Sequence, residues 1–295
     1  MNIIEPNKLH PGDTIAVIAP CGCIDIEKIY QAKKYFENFG YKVKLGSNVE
    51  KQERYLAGTD IERLEDLHNA FSDKEVNAII CARGGYGAIR LINKIDYNLI
   101  RNNPKIFCGF SDVTALSMMI LKHAGLITYS APMAQSDFAA DEVDEFTKNS
   151  FFNTMTSENF EIRPENILIY KSGEAQGILF GGNLSTTASL CGVDFVPEEK
   201  FIFFAEDLNE PAYKIDRYFT QLLNMENFRK NLGAILLGDF LDVDNPQYLD
   251  EFFKELAQKL EIPIIAGYPF THDTSKTTVP IGAGVILKDG IIIKV

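Results

Sequence analysis

A chain of 295 residues with 46% apolar content can bury a large core, enough for one large domain or two of medium size. Its formal net charge of −12, from 41 acidic against 29 basic residues with no block of lysine or arginine, argues against nucleic acid as a partner, because phosphate binding needs clustered positive charge. The five cysteines are odd in number, and Cys81, Cys108 and Cys191 lie in or beside apolar segments; neither a disulfide framework nor, with only four histidines and no second cysteine pair to match Cys21 and Cys23, a structural metal is expected.

The chain begins Met-Asn-Ile-Ile-Glu-Pro-Asn-Lys, without a basic segment followed by an apolar one, and no later apolar run approaches bilayer length. A cytoplasmic location and no membrane partner are therefore expected. Residues 14–19 read as a strand, and residues 26–39 place apolar side chains at helical spacing up to Gly40, a natural stop. A strand over 41–45, a helix over 60–71, a strand over 76–82, a helix over 87–95 and a strand over 105–109 follow. A helix over 111–123 closed by Gly125 and a strand over 126–129 complete this half. Continuous apolar strands separated by helices predict an α/β fold, with a doubly wound parallel-sheet domain over residues 1–138. Residues 139–171 are acidic and weak in strand signal, with one amphipathic stretch near 143–155, and read as a linker. Residues 172–295 carry strand-like runs at 177–180, 201–205, 234–237 and 262–266 and helical patterns at 213–225 and 248–260. They close on a hairpin of 279–287 and 291–295 around Lys288-Asp289-Gly290, which makes this half a mixed α/β domain rich in strands.

Residues suited to chemistry fall at the ends of three of these runs. In Phe107-Cys108-Gly109-Phe110-Ser111-Asp112 an apolar strand breaks at glycine, presents one hydroxyl and enters a helical run. A nucleophile held there has the first amides of the helix beside it to meet an oxyanion; the alternative is that Ser111 simply caps the helix beginning at Asp112. Glu206 and Asp207 end the apolar run 201–205, and His272 follows Pro263-Ile264-Ile265-Ala266-Gly267 by a short turn. Ligands of open α/β sheets bind at such strand ends, which makes Ser111, Glu206 and His272 a candidate nucleophile, orienter and base. Arg83-Gly84-Gly85-Tyr86-Gly87 lies between a strand and a helical pattern. It lacks the Lys-Ser/Thr of a phosphate loop and the three-glycine dinucleotide pattern, leaving backbone donation to an oxyanion or carboxylate beside a plain tight turn. Gly181-Gly182-Asn183-Leu184-Ser185 offers further amides, or a turn in which Asn183 caps the next helix.

Taken jointly, Leu56-Ala57-Gly58-Thr59-Asp60, Cys81-Ala82-Arg83-Gly84-Gly85-Tyr86-Gly87, Gly109-Phe110-Ser111-Asp112, Gly181-Gly182-Asn183-Leu184, Glu206-Asp207 with Tyr213-Lys214-Ile215-Asp216-Arg217, and Gly267-Tyr268-Pro269-Phe270-Thr271-His272 resemble the LD-carboxypeptidases. These are serine peptidases of the murein tetrapeptide carboxypeptidase type, with the microcin-immunity peptidases among them. The resemblance implies a Ser-Glu-His triad on Ser111, Glu206 and His272 and an oxyanion hole from the amides of Gly85 and Asp112. An exopeptidase must also read a terminal carboxylate, for which Arg83 is the candidate, with Gly84, Tyr86 and Asn183 as further substrate-binding residues. The implied reaction releases the terminal D-alanine of a cytoplasmic murein tetrapeptide during wall recycling. It needs no metal or organic cofactor; the murein peptide is the partner, and a homodimer stays open as an assembly. Two rival readings are a peptidase or amidase acting on a peptide–nucleotide conjugate and a non-catalytic, two-lobed small-ligand-binding protein. Two departures bear on substrate: relatives often carry histidine where this chain has Tyr129-Ser130-Ala131, and the microcin-immunity branch stacks a nucleotide on tryptophan, which this chain lacks. The second favours the murein branch.

Overall fold

Buried apolar strands joined by helices must be covered on both faces, and the computed structural model, which describes residues 2–295, shows how. The first half supplies β1 (Thr14–Ile18), α1 (Ile26–Asn38), β2 (Lys42–Leu45), α2 (Asp60–Ser72), β3 (Val76–Cys81), α3 (Tyr97–Asn102), β4 (Ile106–Cys108), α4 (Thr114–Ala124) and β5 (Thr128–Ser130). Their strands run parallel in the order β2-β1-β3-β4-β5. Alternate residues enter opposite cores: Ala16, Ile18, Ile79 and Cys81 join Leu67 and Phe71 of α2, whereas Ile15, Val17, Ala78 and Ile80 join Ile29 and Phe36 of α1. The Gly58-Thr59-Asp60 motif starts α2, where Thr59 and Glu62 form a reciprocal capping box.

The remainder supplies α5 (Glu145–Thr156), β6 (Glu161–Ile162), β7 (Leu168–Lys171), β8 (Ala175–Asn183), α6 (Leu184–Ser189), β9 (Phe201–Leu208), α7 (Ala212–Asn224), α8 (Glu226–Asn231), β10 (Leu232–Leu241), α9 (Pro246–Lys259), β11 (Ile264–Ala266), β12 (Val279–Ile281), β13 (Gly284–Lys288) and β14 (Ile291–Lys294). Eight of these strands form a mixed sheet in the order β6-β14-β13-β8-β9-β10-β11-β7, parallel through β8-β9-β10-β11 and antiparallel at its flanks. The segment 139–171 thus carries α5, whose Phe151 and Met155 are buried in the first half's core, and two edge strands of the second sheet.

Three local expectations are corrected. Residues 87–95 form only a 3₁₀ turn at Ala88–Arg90; Gly87 at its cap position takes φ +134°, and its carbonyl accepts from buried Arg63. The strand expected over 279–287 is two strands. Its first part, β12, pairs antiparallel with β5 in the other sheet, and Gly282 at φ +100° turns the chain back before the β13–β14 hairpin. Finally, β9 does not stop at Ala205: pairing with β8 through Asn183 and with β10 through Leu241 carries it to Leu208, so Glu206 projects from within a strand.

The two sheets meet at α4. A Cβ on Gly182 would stand 2.7 Å from Thr114 Oγ1, and the Asn183 N–H donates to that same oxygen at 3.2 Å. On the same face of the first sheet as α4, buried Arg63 of α2 ties two loops together. Its Nη1 donates to the Pro20 carbonyl at 2.5 Å and to the Gly87 carbonyl at 3.0 Å, while Nη2 pairs with Asp60 at 2.6 Å. Arg63→Met leaves both carbonyls without their donor in the core, and a loss of about 3 kcal/mol in unfolding free energy is expected from urea titration. An unchanged unfolding midpoint would remove Arg63 from this role.

Candidate active site

The order β2-β1-β3 reverses direction between β1 and β3, and a sheet of this kind opens a crevice where the connections leave opposite faces. The loops after β1 and β3 meet there: the Gly22 N–H donates to the Gly84 carbonyl at 3.1 Å. Ser111 comes from the neighbouring β4. It takes φ +60°, in the left-handed region that crowds a Cβ, and the 3₁₀ turn Ser111–Val113 leads on into α4. The cap position of that turn belongs to Phe110 and carries no side-chain hydrogen bond, so Ser111 does not cap the helix. Gly109 makes the sharp exit from β4 feasible, since a Cβ there would press within 2.7 Å of Val113 Cγ1.

The glycine turn after β3 backs directly onto this serine. A Cβ on Gly84 would lie 2.8 Å from Ser111 Cβ, 3.0 Å from its Oγ and 3.2 Å from the Asp112 nitrogen. The Gly84 carbonyl points at Gly22, and across the same trans peptide the Gly85 N–H points the opposite way. Asp112 fastens the turn from below, its Oδ2 accepting from the Ala88 N–H at 2.9 Å. Burial pushes the Asp112 carboxyl above its ordinary range, against the pull of that N–H and of Arg63. Arg83 is half-buried, with Nη1 3.3 Å from the Cys23 carbonyl. Tyr86 is 44% exposed and meets Tyr55 edge-on, with ring centroids 5.7 Å apart.

The second sheet brings the acid and the base together. His272 Nδ1 lies 2.6 Å from Glu206 Oε2, both side chains largely buried. A carboxylate only accepts, so Nδ1 carries the proton in this bond and Nε2 remains free to accept one. The imidazole also packs edge-on against Phe110, the residue before Ser111, with centroids 5.0 Å apart and planes at 67°. The loop bearing His272 is anchored by the Asp239 N–H to the Phe270 carbonyl and the Thr277 N–H to the Pro269 carbonyl, each at 2.9 Å. Gly238 leaves room for the first of these, because a Cβ there would be 2.2 Å from the Phe270 oxygen.

Asn183 stands opposite Glu206 in the β8–β9 ladder, but its side chain is engaged locally. Oδ1 accepts from the Thr186 N–H and the Ser185 hydroxyl, each at 3.0 Å, and Nδ2 donates to Asp207 at 2.8 Å. It is the N-cap of α6. Burial raises the pKa of Asp207, which also accepts from the Ser185 and Leu208 amides. Sequence reasoning passed over Phe110, which links the serine turn to the histidine, and a buried ion pair beneath it between Asp137 and Lys276. The Phe110 signal is adjacency to Ser111; Asp137 and Lys276, 139 residues apart, leave none.

Family models described as the LD-carboxypeptidase N-terminal domain and the LD-carboxypeptidase C-terminal domain match residues 15–131 and 176–287. A probable murein peptide carboxypeptidase of Bacillus subtilis is 37% identical over 289 residues, 95% of this chain and 90% of that protein. Among solved structures, a MccF-like protein from Bacillus anthracis superposes with a TM-score of 0.90 at 31% identity, covering 99% of each chain. A muramoyltetrapeptide carboxypeptidase from Oxalobacter formigenes does so with a TM-score of 0.85 at 32% identity, over 95% of this chain and 97% of that one.

The close approach of Gly84 to Ser111 has a direct test. Gly84→Ala forces the serine turn and the glycine turn apart without a left-handed backbone penalty at position 84. kcat/KM is expected to fall on the order of 10²-fold, as for an ångström-scale misplacement of a reacting group, with the clash lowering unfolding free energy by about 1–3 kcal/mol while the protein still folds. Kinetics within twofold of the unaltered protein would show that the contact is incidental.

Proposed function

The chain belongs to the LD-carboxypeptidase family of serine-type peptidases, and from that premise we propose that it cleaves the L-D bond before the terminal D-alanine of murein tetrapeptides, using Ser111, Glu206 and His272. The observation that carries the reading is the 2.6 Å Glu206–His272 bond beside a serine held at φ +60°. With its Nδ1 proton directed at Glu206, His272 takes the Ser111 hydroxyl proton on Nε2 as Oγ attacks the carbonyl of the L-residue. The proton passes to the departing D-alanine nitrogen as the peptide bond breaks, and a water deprotonated by the same imidazole releases the acylated serine. The amides of Gly85 and Asp112 are the proposed oxyanion donors, preorganised by the Gly22–Gly84 bond and the Asp112–Ala88 bond. The likeness to carboxypeptidases of murein peptides supports this substrate class. Peptide fragments of the wall, recycled in the cytoplasm, are its proposed source.

Tetrapeptides differing only in L or D configuration on each side of the last bond test the reading, with released D-alanine followed by mass spectrometry. Release from the L-D isomer alone is expected; preferential cleavage of a peptide–nucleotide conjugate would move the protein to the other substrate class. Ser111→Ala keeps the amides and loses the nucleophile, so turnover is expected to drop roughly 10⁴-fold. A variant holding a tenth of the original rate sinks the triad. Arg83 contributes its unused guanidinium donors to the terminal carboxylate. Arg83→Ala is accordingly expected to erase the preference for the free tetrapeptide over its C-terminal amide, and an unchanged preference rules that role out.

A further inference from the structure

One ionic group near the site has no part in the chemistry above. Lys276, four residues after His272, is only 5% exposed, and its ammonium is paired at 2.5 Å with Asp137, itself 9% exposed. Asp137 also accepts from the Met133 N–H at 2.8 Å and the Ser136 hydroxyl at 2.7 Å, which fixes it to the loop after β5. Taking a lysine and an aspartate out of water is costly, and a buried pair of this kind often adds nothing to stability over apolar side chains of the same size. Its location suggests another use.

The Lys276 ammonium sits 4.3 Å from the centroid of the Phe110 ring, and the same ring meets His272 at 5.0 Å. Phe110 is thus held between the cation and the base, and its backbone leads directly into Ser111. Lys276 also lines, with Glu206, Ser130, Thr271 and Thr277, a cavity of about 10 Å³, room for a single water. Glu206 Oε1, the carboxylate oxygen not bonded to His272, is buried without a hydrogen-bond partner among the described residues. The backbone of Lys276 is itself tied down, its N–H donating to Thr147 of α5 at 2.9 Å. One cation is therefore in contact with the residue that precedes the nucleophile and lines the same cavity as the acid.

We propose that the buried Lys276–Asp137 pair is a positioning device for the triad: it clamps Phe110 so that Ser111 and His272 stay in register, and it sets a cationic side chain in the wall of the cavity that Glu206 also lines. The proposal rests on the triad assignment above. That assignment fails if Ser111→Ala stays active, whereas the positioning role fails only if Ser111→Ala is inactive and the variants below are not impaired.

The test pairs Lys276→Met with Asp137→Asn in one chain, which removes both charges together and keeps the approximate shapes. Three quantities are read: the melting temperature, kcat and KM on the L-D tetrapeptide, and the rate at which a small fluorophosphonate labels the active serine, which needs no knowledge of the natural substrate. The expected result is a folded protein with Tm within ~3 °C of the parent, KM within about twofold, and kcat and the labelling rate both lower on the order of 10- to 100-fold. A folded double variant with parental kcat and labelling rate overturns the proposal, and so does a raised KM with unchanged kcat, which would mark a binding role. If the double variant does not fold, Phe110→Leu decides: it leaves the ion pair in place and removes the ring between the cation and the base. A fall in both rates at unchanged KM then supports the clamp, and parental rates overturn it.

Discussion

A side chain held at φ near +60° costs on the order of 1–2 kcal/mol relative to the ordinary regions, so it persists only where its surroundings leave no alternative. Ser111 is in that position, and three contacts converge on its turn. Gly84 presses on it from the β3 loop, Val113 folds back over Gly109, and the Phe110 ring is held between His272 and Lys276. Two of these need a glycine where a Cβ would intrude, and the third needs the other sheet. The strain is therefore a product of the whole fold. Separating the sheets would relax the turn and also take the acid and the base away from the serine.

That dependence explains why the joint between the sheets is so closely made. Gly182 and Asn183 leave β8 against Thr114, three residues beyond the serine, and the same ladder places Asn183 opposite Glu206. The chain even lends β12 back to the first sheet, where it pairs with β5 a few residues after the His272 loop. On a protein of net charge −12, the free carboxylate of the proposed substrate has to be met by local donors. Over distances beyond a Debye length of about 8–10 Å the surface charge is largely screened, whereas the proposed donors, Arg83 and the amides of the glycine turn, would act at contact range.

The features legible in the sequence were those whose cause is local. β1, β3 and β9 are apolar runs that only a sheet covered on both sides can bury, and the break at Gly109-Phe110-Ser111 shows the turn that presents the hydroxyl. What escaped reading has distant causes. Ile89, Leu91, Ile92 and Ile95 imitate helical spacing, but the chain makes only a short 3₁₀ turn there, entered from Gly87, whose carbonyl is held by Arg63 of the distant α2. Val279-Pro280-Ile281 reads as the start of the next strand because nothing near it reveals that its partner is β5. Glu206 looked like the end of a strand until pairing on both sides extended β9 past it. For Asn183 both readings were visible beforehand, and the hydrogen bonds to Thr186 and Asp207 place it in the capping role.

The central claim is that the strained serine, the paired histidine and the two amides form one catalytic unit. A crystal structure of the protein after reaction with a peptidyl phosphonate, a mimic of the tetrahedral intermediate, tests it most directly. The account predicts phosphorus bonded to Ser111 Oγ, one phosphonyl oxygen within hydrogen-bond distance of both the Gly85 and Asp112 nitrogens, and His272 Nε2 facing the ester oxygen. Phosphorus on any other residue, or a phosphonyl oxygen turned to solvent with those amides bonded elsewhere, would contradict it.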